Sequence, residues 1–116
     1  MTPVGAAQGP LSQMRRGVLE YCVLALLRTE SLYGFDLVRR LSAVEGMVTS
    51  EGTIYPLLAR LRRDGLVSSS WRESTTGPPR RYYALTGAGR RALEGFTQDW
   101  RKFRDAVDQA LGKDAS

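Results

Sequence analysis

The sequence contains no histidine and a single cysteine, Cys22. The first absence removes the commonest general base and the commonest metal ligand. The second rules out an internal disulfide and a thiolate cage for zinc. Together they exclude Cys–His and Ser–His–Asp catalysis. No Gly-rich phosphate loop with its lysine is present. The longest apolar run, Val18 to Leu27, is broken by Glu20 and is far too short to span a bilayer. The opening Met1-Thr2-Pro3-Val4-Gly5 has no basic stretch ahead of an apolar one, so no signal peptide is expected. The expectation is a cytoplasmic, reduced protein that is not an enzyme, with no catalytic residue, no metal ligand and no cofactor.

What is present is 116 residues, the size of one small domain. Its core is thin unless a second copy adds surface. With 42% hydrophobic and 25% charged residues, it has enough apolar material to fold. Lys plus Arg is 17 against 12 acids, a net charge of +5. The pI is about 9.9. Such a surplus favours polyanions, nucleic acid or anionic lipid. Of the 17 basic residues 15 are Arg, which forks onto phosphate oxygens and guanine edges.

The periodicity predicts the order α-α-α-β-β-α. Residues 1–10, with two Pro and two Gly, read as a mobile tail, and residues 112–116 as another. Ser12 can cap a first helix that runs to about Arg28 and is apolar nearly all round in its second half. A second helix covers about Gly34 to Val44, with Leu37, Leu41 and Val44 on one stripe. A third runs from a Ser50 cap to about Arg63, with Ile54, Leu58 and Leu61 inward and Gly65 ending it. Pro56 inside it removes one backbone donor, so a bend or a loosened first turn is expected.

The period then becomes two. Val67, Ser69 and Trp71 share one strand face, and Arg81, Tyr83 and Leu85 share another. Ser74 to Pro79 reads as a stiff hairpin tip. Thr86 caps the last helix, which extends to about Leu111.

That helix carries the sharpest signal. Leu93, Phe96, Trp100, Phe103, Val107 and Ala110 recur at spacings of 3 and 4, a seam of period 3.5. Such a seam is expected at a homodimer interface through Leu93, Phe96, Trp100, Phe103 and Val107. The competing reading packs the stripe on the chain's own first helix.

The charge is localised. Residues 50–91 hold eight basic and three acidic residues, a surplus of +5; the segments before and after contribute +1 and −1. Three helices followed by a two-stranded wing is the order of a winged helix-turn-helix, whose third helix enters the major groove. The expected fold class is therefore mainly α: a winged helix-turn-helix over residues 11–86, and a dimerisation helix over 87–111.

Several stretches carry a family resemblance. They are Gly17-Val18-Leu19-Glu20 with Val23-Leu24-Ala25-Leu26-Leu27, Tyr33-Gly34-Phe35-Asp36-Leu37, and Ser50-Glu51-Gly52-Thr53-Ile54-Tyr55-Pro56-Leu57-Leu58. To these are added Leu61-Arg62-Arg63-Asp64-Gly65-Leu66 and Gly77-Pro78-Pro79-Arg80-Arg81-Tyr82-Tyr83-Ala84-Leu85-Thr86. From Gln13 to about Phe103 the chain resembles the PadR family of transcriptional regulators, in its compact subgroup with one C-terminal helix. The resemblance implies a dimeric winged-helix repressor on a palindromic DNA operator, often released by a small molecule. It also implies a site for flat aromatic compounds at the dimer interface, near the Trp of the last helix, here Trp100.

The residues expected at DNA are Gln13, Arg16, Tyr33, Ser50, Gly52, Thr53, Tyr55, Arg60, Arg63, Arg80, Arg81 and Tyr83. Ser50 is also a plain helix cap, Tyr33 also a packing ring, and Arg80 and Arg81 point to opposite faces of one strand, so one of them can instead brace the hairpin. Phe96, Trp100 and Phe103 are the expected effector residues, for a flat aromatic or cationic guest, and equally plain core. Cys22 reads as an inert thiol in an apolar run. The alternative function is a winged-helix module that docks another protein rather than DNA.

Overall fold

The computed structural model describes residues 17–47 and 49–112. Ser12, Gln13, Arg16 and both expected tails, apart from Gly112, lie outside the described residues. The elements are α1 (Leu19–Leu26), β1 (Leu32–Tyr33), α2 (Gly34–Ser42), α3 (Glu51–Arg63), β2 (Val67–Ser74), β3 (Gly77–Leu85) and α4 (Gly87–Ala110).

The apolar stripes read from the sequence converge on one core. Val23 and Leu24 of α1, Leu37 of α2, and Ile54, Leu58 and Leu61 of α3 are all fully or almost fully buried. Each such aliphatic side chain stabilises the fold by roughly 1.5–3 kcal/mol relative to exposure. Val67 and Tyr83 close the core from the sheet, and Leu93 from α4. One stripe residue is corrected. Val44 is 50% exposed and lies beyond the end of α2, and Val38 takes the third buried place beside Leu37 and Leu41.

α3 runs through Pro56 without a break. Its start departs from expectation in one detail. Ser50 holds the N-cap position in extended backbone, but its side chain makes no cap hydrogen bond. Its carbonyl oxygen accepts from the Thr53 and Ile54 amides at 3.1 and 2.9 Å. Gly65, at φ +80°, reverses the chain after Asp64, where a side chain would be strained.

The sheet has three strands, not the expected two, in the order β1-β3-β2, all antiparallel. β1 adds only the pairs Leu32–Tyr83 and Tyr33–Tyr82. Two residues are too few for alternation to reveal a strand. The hairpin tip is also tighter than expected. The turn is Thr75-Thr76, with Ser74 paired to Gly77, and Pro78 and Pro79 belong to β3. Between the Arg72–Arg80 and Ser74–Gly77 pairs, Glu73 faces both prolines, a bulge that asks neither for a ladder hydrogen bond.

Thr86 joins the wing to α4. Its hydroxyl oxygen accepts from the Gly89 amide at 3.0 Å and donates to the Gly65 carbonyl at 2.7 Å. Its amide donates to the Leu66 carbonyl at 3.2 Å. Gly89 is buried against that same carbonyl. A Cβ there would overlap the Leu66 backbone and stand 2.7 Å from Leu85 Cδ1.

Candidate nucleic-acid interface

α3 buries Ile54, Leu58 and Leu61, so the helical period turns Gly52, Thr53, Tyr55, Arg62 and Arg63 outward. Tyr55 lies against the first residue of α2. A Cβ on Gly34 would stand 3.0 Å from Tyr55 Cε1 and 3.4 Å from Tyr83 Cε1, so glycine lets α2 begin directly over these rings. Burial, and then the nearby Glu51 carboxylate and the Tyr33 and Tyr83 hydroxyls, push the Tyr55 pKa above its ordinary 10.0. Tyr55 therefore stays a neutral O–H donor at physiological pH.

Tyr33 ends β1 and occupies the N-cap position of α2. Its ring tilts against Phe35 at 6.3 Å and Tyr82 at 5.8 Å. Two guanidinium groups lie over these tyrosines: Arg80 is 4.7 Å from the Tyr33 centroid and Arg72 is 4.4 Å from the Tyr82 centroid. Arg72 and Arg80 are direct cross-strand partners. Like charges so placed repel, and stacking on a ring face offsets part of that cost. The result is a strip of aromatic and cationic groups from Tyr55 on α3, over Tyr33, to Arg80, Tyr82 and Arg72 on the wing. Guanidinium groups held this way keep their N–H edges available to phosphate oxygens.

Strand alternation puts Arg81 on the opposite face. Its Nη1 donates to Ser69 Oγ at 2.7 Å and its guanidinium stacks 4.6 Å over Trp71. Arg81 braces the hairpin.

Of the other expected residues, Tyr83 and Arg60 are engaged within the chain and Arg63 is not. Tyr83 is 7% exposed and belongs to the core, where its ring supports Gly34. Arg60 forms an ion pair with Glu20 of α1. Arg63 is exposed and has no acidic partner among the described residues. Arg72 and Tyr82 were missed by sequence reasoning. The alternation of Tyr82 with Arg81 and Tyr83, and of Arg72 with Trp71, was visible, but not the register that sets Arg72 opposite Arg80.

The α4 stripe divides. Leu93 is buried, and Phe96 stacks on Tyr21 of α1 with centroids 4.1 Å apart and planes 3° apart. The reading in which the stripe packs on its own first helix thus accounts for this end. Trp100 stacks on Phe96 at 6.1 Å and Phe103 tilts on Trp100 at 6.5 Å. Yet Trp100 is 37% exposed and Phe103 63%. Cys22 is half-buried beside the core, and desolvation raises its thiol pKa above the ordinary 9.0. No helix among the described residues is long and apolar enough to cross a membrane.

Residues 23–95 match the transcriptional regulator PadR-like family. The chain is 34% identical over 102 residues to the transcriptional regulator Rv3488 of Mycobacterium tuberculosis, covering 88% of this chain and 91% of that protein. A PadR-like transcriptional regulator from Bacillus cereus superposes with a TM-score of 0.78 at 39% identity, over 86% of this chain and 97% of that one. A PadR family transcriptional regulator from Eggerthella lenta does so with a TM-score of 0.80 at 33% identity, over 93% and 94%. With three helices, a wing and a terminal helix in the expected order, the chain belongs to the PadR-like family of transcriptional regulators, which bind DNA and are not enzymes.

Proposed function

We propose that the protein is a homodimeric, sequence-specific repressor on a palindromic operator, with a small-molecule effector bound at the dimer interface. The observation that carries the DNA-facing part is the strip from Tyr55 through Tyr33 and Arg80 to Arg72. In this reading α3 lies in the major groove. Gly52 permits close approach, Thr53 meets a base edge or a thymine methyl, and Tyr55 donates to a phosphate. Ser50 and the first amides of α3 receive another phosphate, and Arg63 the flanking backbone. Arg80 and Arg72 hold the phosphates beside the wing.

The exposed rings of Trp100 and Phe103 support the dimer, because a monomer presenting them to water is prone to aggregate. Two such stripes facing each other bury these rings and enclose an aromatic space between Phe96, Trp100 and Phe103 of each copy. That space suits a flat aromatic or cationic guest. A guest that binds one dimer geometry better than another shifts the separation of the two reading heads and hence operator affinity.

The test is selection of bound genomic fragments by the purified chain, followed by titration of the selected duplex across salt concentrations. A two-fold symmetric site with half-sites about one helical turn apart is expected. The expected slope of log K against log salt is roughly −5 to −7, for about six to eight phosphates. A slope near zero, or capture of a protein with no preference among duplexes, overturns the proposal in favour of a protein-docking module.

A further inference from the structure

A cavity of about 280 Å³ lies between the end of α1 and a flank of α4. It is lined by Arg28, Arg90 and Arg101, with Glu94, Thr97 and Gln98. Leu93 supplies an apolar floor. The α4 residues fall at 90, 94, 97, 98 and 101, one face of a helix, while Arg28 closes the site from the turn that follows α1. This flank adjoins the aromatic seam but contains none of its rings.

Three guanidinium groups and one carboxylate leave the lining with a surplus of two positive charges. Four arginines elsewhere take acidic partners: Arg39 with Asp36, Arg40 with Glu30, Arg60 with Glu20, and Arg104 with Asp105. None of the three cavity arginines does so among the described residues, although Glu94 shares their cavity. Arg90 also stands near the N-terminus of α4, whose first turn holds no acidic residue. A cation there opposes the helix dipole, and an anion would offset that cost. Thr97 donates its hydroxyl proton to the Leu93 carbonyl at 2.8 Å, so toward the cavity it offers only lone pairs. The donors facing a guest are the guanidinium groups and the Gln98 amide. The volume lies at the lower edge of the roughly 300–1,000 Å³ of sites for drug-sized ligands, which suits a small guest.

We propose that this cavity binds a small dianion of the phosphate-ester or dicarboxylate class. The inference does not rest on the dimeric repressor reading. The full chain is titrated calorimetrically with inorganic phosphate and, separately, with malonate, at constant ionic strength set with sodium chloride. Saturation at one equivalent per chain is expected. Saturation by phosphate alone assigns the phosphoryl class, by malonate alone the dicarboxylate class, and by both the shared dianion chemistry.

Arg101→Gln and Arg28→Gln are expected to weaken binding at least tenfold, with thermal unfolding kept within a few degrees, since both side chains are exposed. Glu94→Gln, which removes the one repelling charge, is expected to tighten binding about threefold or more. Absence of saturation with both probes overturns the proposal, as does weakening on Glu94→Gln. So does a loss of operator affinity with a lower salt slope in probe-free Arg28→Gln or Arg101→Gln. That last result would place these arginines on the DNA face, overturning the dianion site while leaving the proposed DNA-binding function standing.

Discussion

Tyr21 and Phe96 lie face to face, the one on α1 and the other on α4, with ring planes only 3° apart. The neighbouring residue on α1, Glu20, pairs with Arg60 of α3. One turn of α1 therefore touches both the terminal helix and α3. A double-mutant cycle of Tyr21→Ala and Phe96→Ala in urea unfolding is expected to give a coupling of about 0.5–1.5 kcal/mol beyond the loss of area. Additive behaviour would mean that the stack contributes only buried surface.

Phe103→Asp and Trp100→Asp address assembly. Each would put two uncompensated carboxylates into a homodimer seam. Both variants are expected to sediment as monomers at concentrations where the parent is dimeric, with the far-UV spectrum unchanged. Persistence of the dimer in both would move the interface off α4.

The wing arginines separate by face. Arg72→Ala with Arg80→Ala is expected to reduce the steepness of log K against log salt by roughly 2, about 0.9 for each phosphate that is no longer neutralised. Arg81→Ala is expected to act mainly on stability, because its guanidinium bonds Ser69 and stacks on Trp71. Titration of one operator duplex at four salt concentrations with each variant distinguishes them.

Gly89→Ala tests the joint between wing and terminal helix. The added methyl meets the Leu66 backbone rather than a flexible side-chain end. A loss of about 1–3 kcal/mol in urea unfolding is expected, the usual cost of overpacking. Thr86→Val removes both hydroxyl hydrogen bonds and is expected to cost roughly 1–2 kcal/mol.

Cys22 gives a pH prediction. Desolvation raises its thiol pKa in the folded state above 9.0. A group with a raised folded pKa contributes stability below its unfolded pKa and loses it as pH rises through the folded value. Its contribution is therefore constant across neutral pH and falls above about pH 9. Cys22→Ser is expected to flatten that alkaline decline in urea midpoints measured from pH 7 to 10. Modification of the folded thiol at pH 8 is expected to be several-fold slower than in urea.

The legible parts of the molecule are those in which a local pattern repeats. Ile54, Leu58 and Leu61 mark the buried face of α3, and Thr86 marks the start of α4, because helix period and capping are short-range chemistry. β1 was hidden because two residues make no alternation, and its strand character comes from pairing with Tyr82 and Tyr83 about fifty residues later. The Arg60–Glu20 pair joins positions forty apart and leaves no sequence trace. The prolines at 78 and 79 suggested a loop, since neither can donate to a ladder; the bulge opposite Glu73 removes that demand. Tyr83 looked like a neighbour of the arginines in sequence, and strand alternation carried it inward.

The joint at Thr86 has a mechanical consequence. α4 leaves the sheet with no slack: the threonine is tied to Gly65 and Leu66, and the third residue of the helix is wedged on the same backbone. Two copies clasped along α4 would behave like the arms of a caliper, its jaws set by the crossing angle of the helices. A change of a few degrees in that angle would be magnified along some thirty ångströms of rigid lever, so the gap between the jaws follows directly from how the two helices cross.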